Sequence, residues 1–294
     1  MSRRVSIDSS ALTRSGRSHS FPRPPADRKC LVMGVLNVTP DSFSDGGRFM
    51  DLDQALGQAR MMVSEGADII DIGGESTRPR ALPVTAAAEL DRVLPVLESV
   101  QREFDVPISI DTSKPEVMRD AVAAGASMIN DISALRAPGA LETAASLAVP
   151  VCLMHMQGAP RIMQEAPHYD DVVREVTEFL DDRATACIRA GIPRERIAVD
   201  PGFGFGKTLE HNLALLDGLE RIVALGYPVL VGLSRKSMLG KLLGRAAEDR
   251  LAGSLALALL ARQRGAGIIR VHDVAPTVDT LRILARLEAM SPGG

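Results

Sequence analysis

Eight short runs rich in Val, Ile and Leu, separated by segments with helical spacing, constrain this chain more than any other feature. The runs are "CLVMGVLN" ending near Asn37, "ADIIDIGG" near Asp71, "VPISID" ending at Asp111 and "ASMIND" ending at Asp131. They continue with "VPVCLMH" ending at His155, "RIAVD" ending at Asp200, "YPVLVGLS" ending at Ser234 and "GIIRVH" ending at His272. None alternates strictly between apolar and polar residues, so each suits a strand buried on both faces, as in a parallel sheet covered by helices. Helical patterns such as "AAAELDRVLPVLESVQREF" and "KPEVMRDAVAAGA" lie between them, and "VAPTVDTLRILARLEAM" follows the last run. A glycine recurs in "EGAD", "AGAS", "AGIP", "LGYP" and "RGAG", where a helix would end ahead of a strand. Eight such units in about 265 residues predict an α/β fold, a single-domain (β/α)8 TIM barrel over residues 29–294. A doubly wound sheet would have fewer strands and a G-x-G-x-x-G turn after the first, which "NVTPDSFSDGG", Asn37 to Gly47, is not.

Composition narrows the partners. Hydrophobic residues at 46% supply a large core, while aromatics at 3% leave no stacking platform for bases. A net charge of −3 gathers neither nucleic acid nor an anionic membrane, and the longest apolar helical run, near Leu251 to Ala261, is about half a membrane span. Cys30, Cys152 and Cys187 are odd in number and far apart, which suits a reducing cytoplasm. Residues 1–28, rich in Arg, Ser and Pro and without an apolar h-region, read as a loose disordered tail.

In a barrel of this kind the active site is built at the C-terminal ends of the strands. The residues there are Asn37, Asp71, Asp111, Asn130, Asp131, His155, Asp200, the run Ser234, Arg235 and Lys236, then Arg270 and His272. A single aspartate after a strand often only caps the next helix. Four in one chain, with Asp71 and Asp200 followed by "IGGESTRP" and "PGFGFGK", exceed what capping requires. Cations gathered after strands 7 and 8 mark a side for an anion, frequently a phosphate. Carboxylates on strands 2, 3 and 6 mark a side for N–H donors or a cation. A nitrogenous ring bearing a phosphorylated arm would suit such a cavity. "PGFGFGK" lacks the G-x-x-x-x-G-K-[ST] spacing of a nucleotide loop, so its glycines are expected to let backbone approach a ligand. His155 suits a structural histidine as well as a catalytic one.

The stretches "NVTPDSFSDGG", "DIGGESTRP", "SIDTSKPEV", "INDIS", "LMHMQGAP", "DPGFGFGKT", "GLSRKS" and "RVHDV", in this order, resemble the dihydropteroate synthases. The resemblance implies a barrel enzyme that joins 6-hydroxymethyl-7,8-dihydropterin diphosphate to 4-aminobenzoate with the help of Mg2+, is inhibited by sulfonamides and forms a homodimer. It implies that Asp111, Asn130, Asp200 and Lys236 line a pterin pocket, and that Asn37 touches metal and diphosphate. Arg270 and His272 would hold the diphosphate, with Asp71 among the inner carboxylates. Thr77, Arg78 and Pro79, with Phe43, Phe205 and Ser234, would frame the aminobenzoate, and Asp111, Lys236, Asn37 and Arg270 would carry the chemistry. Thr39 to Gly47 would be a lid over the diphosphate. Two positions depart from the family pattern: Arg80 where Gly is usual and Ser254 where Thr is common. The alternatives are a non-catalytic pterin-binding paralogue or partner subunit, a corrinoid-linked methyltransferase barrel lacking these loops, and a Schiff-base aldolase using Lys236.

Overall fold

The computed structural model describes residues 20–39, 48–76, 81–158 and 162–290. Phe43, Thr77, Arg78, Pro79 and Arg80, and all of the expected lid, Thr39 to Gly47, beyond its first residue, lie outside these.

Eight parallel strands form the predicted barrel: β1 (Leu31–Asn37), β2 (Ile69–Gly73), β3 (Ile108–Asp111), β4 (Met128–Asp131), β5 (Val151–Met154), β6 (Ile197–Asp200), β7 (Leu230–Val231) and β8 (Ile268–Val271). Neighbours in sequence are neighbours in the sheet, and β1 pairs with β8 through Leu31↔Ile268 to Gly34↔Val271. A single parallel bridge, Val199↔Val229, closes β6 onto β7. The strand expected to run to Ser234 is therefore only two residues long, the chain beyond Val231 leaving the ladder to form the next loop.

Ten helices surround the barrel among the described residues: α1 (Arg48–Ser64), α2 (Ala86–Glu103), α3 (Pro115–Ala123), α4 (Ala140–Leu147), α5 (Val172–Arg189), α6 (Leu209–Asp217), α7 (Leu219–Val223), α8 (Ser237–Leu243), α9 (Leu251–Gln263) and α10 (Val274–Glu288). The five recurrent glycines, Gly66, Gly125, Gly191, Gly226 and Gly265, all take positive φ, and four of them stand two residues past the end of a helix, as their spacing predicts.

Strand side chains alternate between two apolar environments. Val32, Ile70, Ile110, Ile129, Leu153, Val199, Val231 and Ile269 face outward against the helices. Leu31, Met33, Ile69, Met128, Cys152, Ala198, Leu230 and Ile268 point inward and floor the barrel. Phe21 packs on that floor from below. Arg28, buried, donates to Asp68 Oδ1 at 2.6 Å, while Asp68 Oδ2 accepts from Val32 N. Residues 20–28, which composition alone groups with the tail, thus hold side chains that pack against the barrel.

Candidate active site

The floor fixes the site, because the residue two places further along a strand faces the same way. Two places beyond Ile69, Ser109, Met128, Ala198 and Ile268 stand Asp71, Asp111, Asn130, Asp200 and Arg270, so one interior layer is apolar except for the Ser109 hydroxyl and the next carries the chemistry. Asp131 has the opposite parity and turns outward. It accepts from Ser133 N at 2.7 Å, from Leu135 N at 2.8 Å and from Ser113 Oγ, which makes it a cap of the β4 exit rather than a member of the ring.

Arg270 organises one side. Its Nε donates to Asp71 Oδ2 at 2.7 Å and its Nη2 to Asp111 Oδ2 at 2.8 Å. Asn130 Nδ2 donates to the same Asp71 oxygen at 3.1 Å, and Asp71 Oδ1 is buried without a partner. One guanidinium faces two carboxylates here. Burial pushes Asp111 up to about 7; Arg270 opposes this, and the charges of Asp71, Glu89 and Asp131 add to it. The residue expected to hold an anion is thus engaged by two carboxylates, with three of its five N–H donors still available.

Strands 6 to 8 build the other side. Asp200 is buried, accepts from Gly202 N at 2.7 Å, and has its carboxyl raised by burial. Lys236 Nζ lies 4.2 Å from the centroid of the Phe205 ring, and burial together with Arg270 pushes its ammonium down to about 8. Ser234 Oγ accepts from His272 N at 3.3 Å and lies 3.1 Å from His272 Nδ1. Burial, and then Arg270 and Arg235, push His272 down to about 4, so it is a neutral donor at pH 7. Arg235 adopts a φ of 56° and pairs with Asp273 at 2.5 and 3.0 Å, away from the ring. Ser254 accepts from Arg235 N at 3.0 Å and donates to Arg250 O at 2.8 Å, a role that a Thr hydroxyl would fill equally. Asn37 ends β1 opposite Gly73. Among the described residues no group of three or more His, Cys, Asp or Glu is arranged to hold a metal ion.

Other polar side chains of the same loops are buried, wholly or in part, without any sign of it in the hydrophobic pattern of the sequence. Lys114 pairs with Glu75 and with the fully buried Glu89, each at 2.5 Å, tying the loop after β2 to the loop after β3 and to α2. Two of the three glycines of "PGFGFGK" serve close approach to a neighbouring loop, while the third, Gly204, stands against the Lys236 side chain. A Cβ on Gly202 would stand 1.9 Å from His155 O, and one on Gly206 2.4 Å from Gln157 O, so both admit the loop after β5. Their φ of 69° and 61° favours glycine as well.

Acceptors at Asp71, Asp111 and Asp200, an amide at Asn130, and cations at Lys236 and Arg270 thus converge above a largely apolar floor. Such a layout can accept from the N–H edge of a flat heterocycle and offset charge of both signs. The sequence matches the family described as pterin binding enzyme over residues 33–272. A dihydropteroate synthase of Haemophilus influenzae is 54% identical over 264 residues, which cover 88% of this chain and 96% of that protein. The structure of Xanthomonas albilineans dihydropteroate synthase with 4-aminobenzoic acid superposes with a TM-score of 0.85 at 54% identity, covering 90% of this chain and 95% of the other. That of Yersinia pestis dihydropteroate synthase in a sulfonamide drug complex gives 0.86 at 51%, covering 90% and 96%. With its barrel, its polar ring and this extent of likeness, the chain belongs to the dihydropteroate synthase family of pterin-binding enzymes.

Proposed function

We propose that the protein condenses 6-hydroxymethyl-7,8-dihydropterin diphosphate with 4-aminobenzoate, giving 7,8-dihydropteroate and diphosphate for folate biosynthesis. The observation that carries this is the interior layer of Asp71, Asp111, Asn130, Asp200 and Arg270, one step above the apolar floor. The aminopyrimidinone edge of a pterin offers N–H donors; Asp200 and Asn130 are the groups to read it, and a ring lacking those donors would leave buried acceptors unpaired. The methylene C–O bond breaks and its electron pair leaves with the diphosphate. The cation left behind is conjugated to the pterin and lies within reach of the Asp111 carboxylate in a water-poor barrel. The three free N–H donors of Arg270, with His272 and Lys236, face the leaving group. The amine of aminobenzoate, placed by Phe205 and Ser234 with Phe43, Thr77, Arg78 and Pro79, attacks the methylene and then loses a proton.

Mg2+ fits this donor set. It is usually bound by one or two carboxylates alongside substrate phosphates and water; here the Asn37 amide oxygen would take the place of a carboxylate, with diphosphate oxygens and water supplying the rest. Bound there, the ion would supply charge neutralisation for the departing diphosphate. Sulfonamides, which mimic the aminobenzoate, should compete with it. The experiment is incubation with the pterin diphosphate, 4-aminobenzoate and Mg2+, following diphosphate release: turnover abolished by chelation and restored by Mg2+ is expected. Tight pterin binding without release would instead favour a non-catalytic paralogue.

We further propose a cytoplasmic homodimer. Three free, buried cysteines suit a reducing compartment, and no helix among the described residues is long and apolar enough to cross a membrane. Ile283, Leu287 and Met290 form an exposed apolar stripe at helical spacing along α10 and beyond its end, which a second copy would cover. Light scattering should give twice the chain mass, and Leu287→Glu should lower it.

A further inference from the structure

Lys207 is 2% exposed, and no step of the proposed condensation uses it. Its Nζ donates to Gly202 O and to Phe205 O, each at 3.0 Å, and lies 2.9 Å from His155 Nδ1 and 3.4 Å from His155 O. An ammonium has three N–H donors and no lone pair, whereas a neutral amine has two donors and an acceptor. A ring of carbonyl oxygens therefore matches the ammonium. Burial, with the charges of Lys207 and Arg136, pushes His155 down to about 3, which leaves its imidazole neutral and free to accept at Nδ1. Burial, with the charge of Lys236, also pushes Lys207 down to about 7 against the opposing charge of Asp200, while the carbonyl oxygens of Gly202, Phe205 and His155 match its ammonium form.

The acceptors belong to the turn that carries two site residues. Gly202, whose carbonyl Lys207 grips, donates its N–H to the Asp200 carboxylate at 2.7 Å. Phe205, whose carbonyl it also grips, holds its ring beneath Lys236 Nζ and donates its N–H back to Gly202 O at 3.1 Å. His155 anchors the same ammonium to the end of β5.

We propose that Lys207 is a positioning residue for the condensation: by gripping Gly202, Phe205 and His155 it sets where the Asp200 carboxylate and the Phe205 ring stand against the two substrates. This rests on the reading that Asp200 faces the pterin and Phe205 the aminobenzoate. The decisive variant is Lys207→Met, which keeps the length of the stem and removes every donor. At a temperature where it is folded, the Kd for the pterin diphosphate and the aminobenzoate KM should each rise about tenfold, with a smaller fall in kcat, since a misplacement near 1 Å costs up to about a hundredfold. A lower melting temperature with both affinities unchanged would mean a purely structural lysine and overturn the proposal, as would a loss confined to kcat. Should Lys207→Met not fold, His155→Leu removes one acceptor and leaves the carbonyls: a raised aminobenzoate KM supports the proposal, and an unchanged one overturns it. A wild-type chain without turnover overturns the functional reading, whereas wild-type turnover with indifferent variants overturns only this inference.

Discussion

Asp111 and Arg270 show how one side chain can be set by two opposing effects. Removing a carboxylate from water raises its pKa, and an adjacent guanidinium lowers it; here burial prevails and the group stands at about 7. Stabilising a pterin methylene cation requires the ionised form, so kcat/KM should fall as pH drops through about 7. On the alkaline side Lys236 must keep its proton to donate, so kcat/KM should fall again as pH rises through about 8. His155 and His272, at about 3 and about 4, stay neutral across this window and contribute neither limb. Steady-state rates from pH 5.5 to 9.5 test the profile. Asp111→Asn, which keeps the shape and removes the charge, should abolish the acid limb and lower kcat by about a hundredfold. Its pterin affinity should change by less than about tenfold, because Asn keeps an acceptor oxygen and forfeits only the difference between a hydrogen bond to a charged and to a neutral group, about 1 kcal/mol. Equal losses in binding and turnover would argue against a role with the cation.

At the scale of elements, the turn from Asp200 to Lys207 carries the steric contrast. Gly202 has a φ of 69° and a hypothetical Cβ 1.9 Å from His155 O, whereas Gly191, with a φ of 95°, has nothing within 4 Å of that point. Gly191→Ala should therefore cost only backbone strain, about 1 kcal/mol. Gly202→Ala adds a clash with backbone that cannot swing away, so it should lose at least about 2 kcal/mol more. Urea unfolding of both variants measures the difference, provided the m-value is unchanged. The strands themselves were legible because runs of Val, Ile and Leu between helical patterns have few other uses, and the helix-terminating glycines because left-handed backbone favours that residue. The parity of the strand ends was not. Asn130 and Asp131 are adjacent in sequence, and which of them faces the interior follows from strand register, which a run apolar on both faces conceals. The short β7 escaped for the same reason: "YPVLVGLS" stays apolar past the point where its pairing stops. Lys207 and Lys114 lie within recognisable motifs, yet their burial depends on loops brought together by the closed barrel.

Over the whole molecule the two ends of the barrel divide the work, with the polar ring above the floor at the C-terminal end and the N-terminal segment beneath it. Phe21 is half-buried against Leu31, Ile69, Met128 and their neighbours, and Arg28 is locked to Asp68 beside β1. The segment borders a cavity of about 290 Å³ lined also by Phe104, Val106 and Pro150, on the face of the barrel opposite Arg270. Residues on that face should contribute to stability and not to chemistry. Phe21→Ala removes a partly buried ring next to space that is already open, so its cost should fall below the roughly 3–5 kcal/mol of a fully buried phenylalanine, at about 2 kcal/mol. Chemical denaturation should register that loss, while kcat and both KM values stay within about twofold, because the interior residues between Phe21 and the ring are close-packed and fixed by the strand ladder. A drop in kcat with unchanged stability would show that the floor transmits strain to Asp111 and Arg270, and the separation of the two ends would then be wrong.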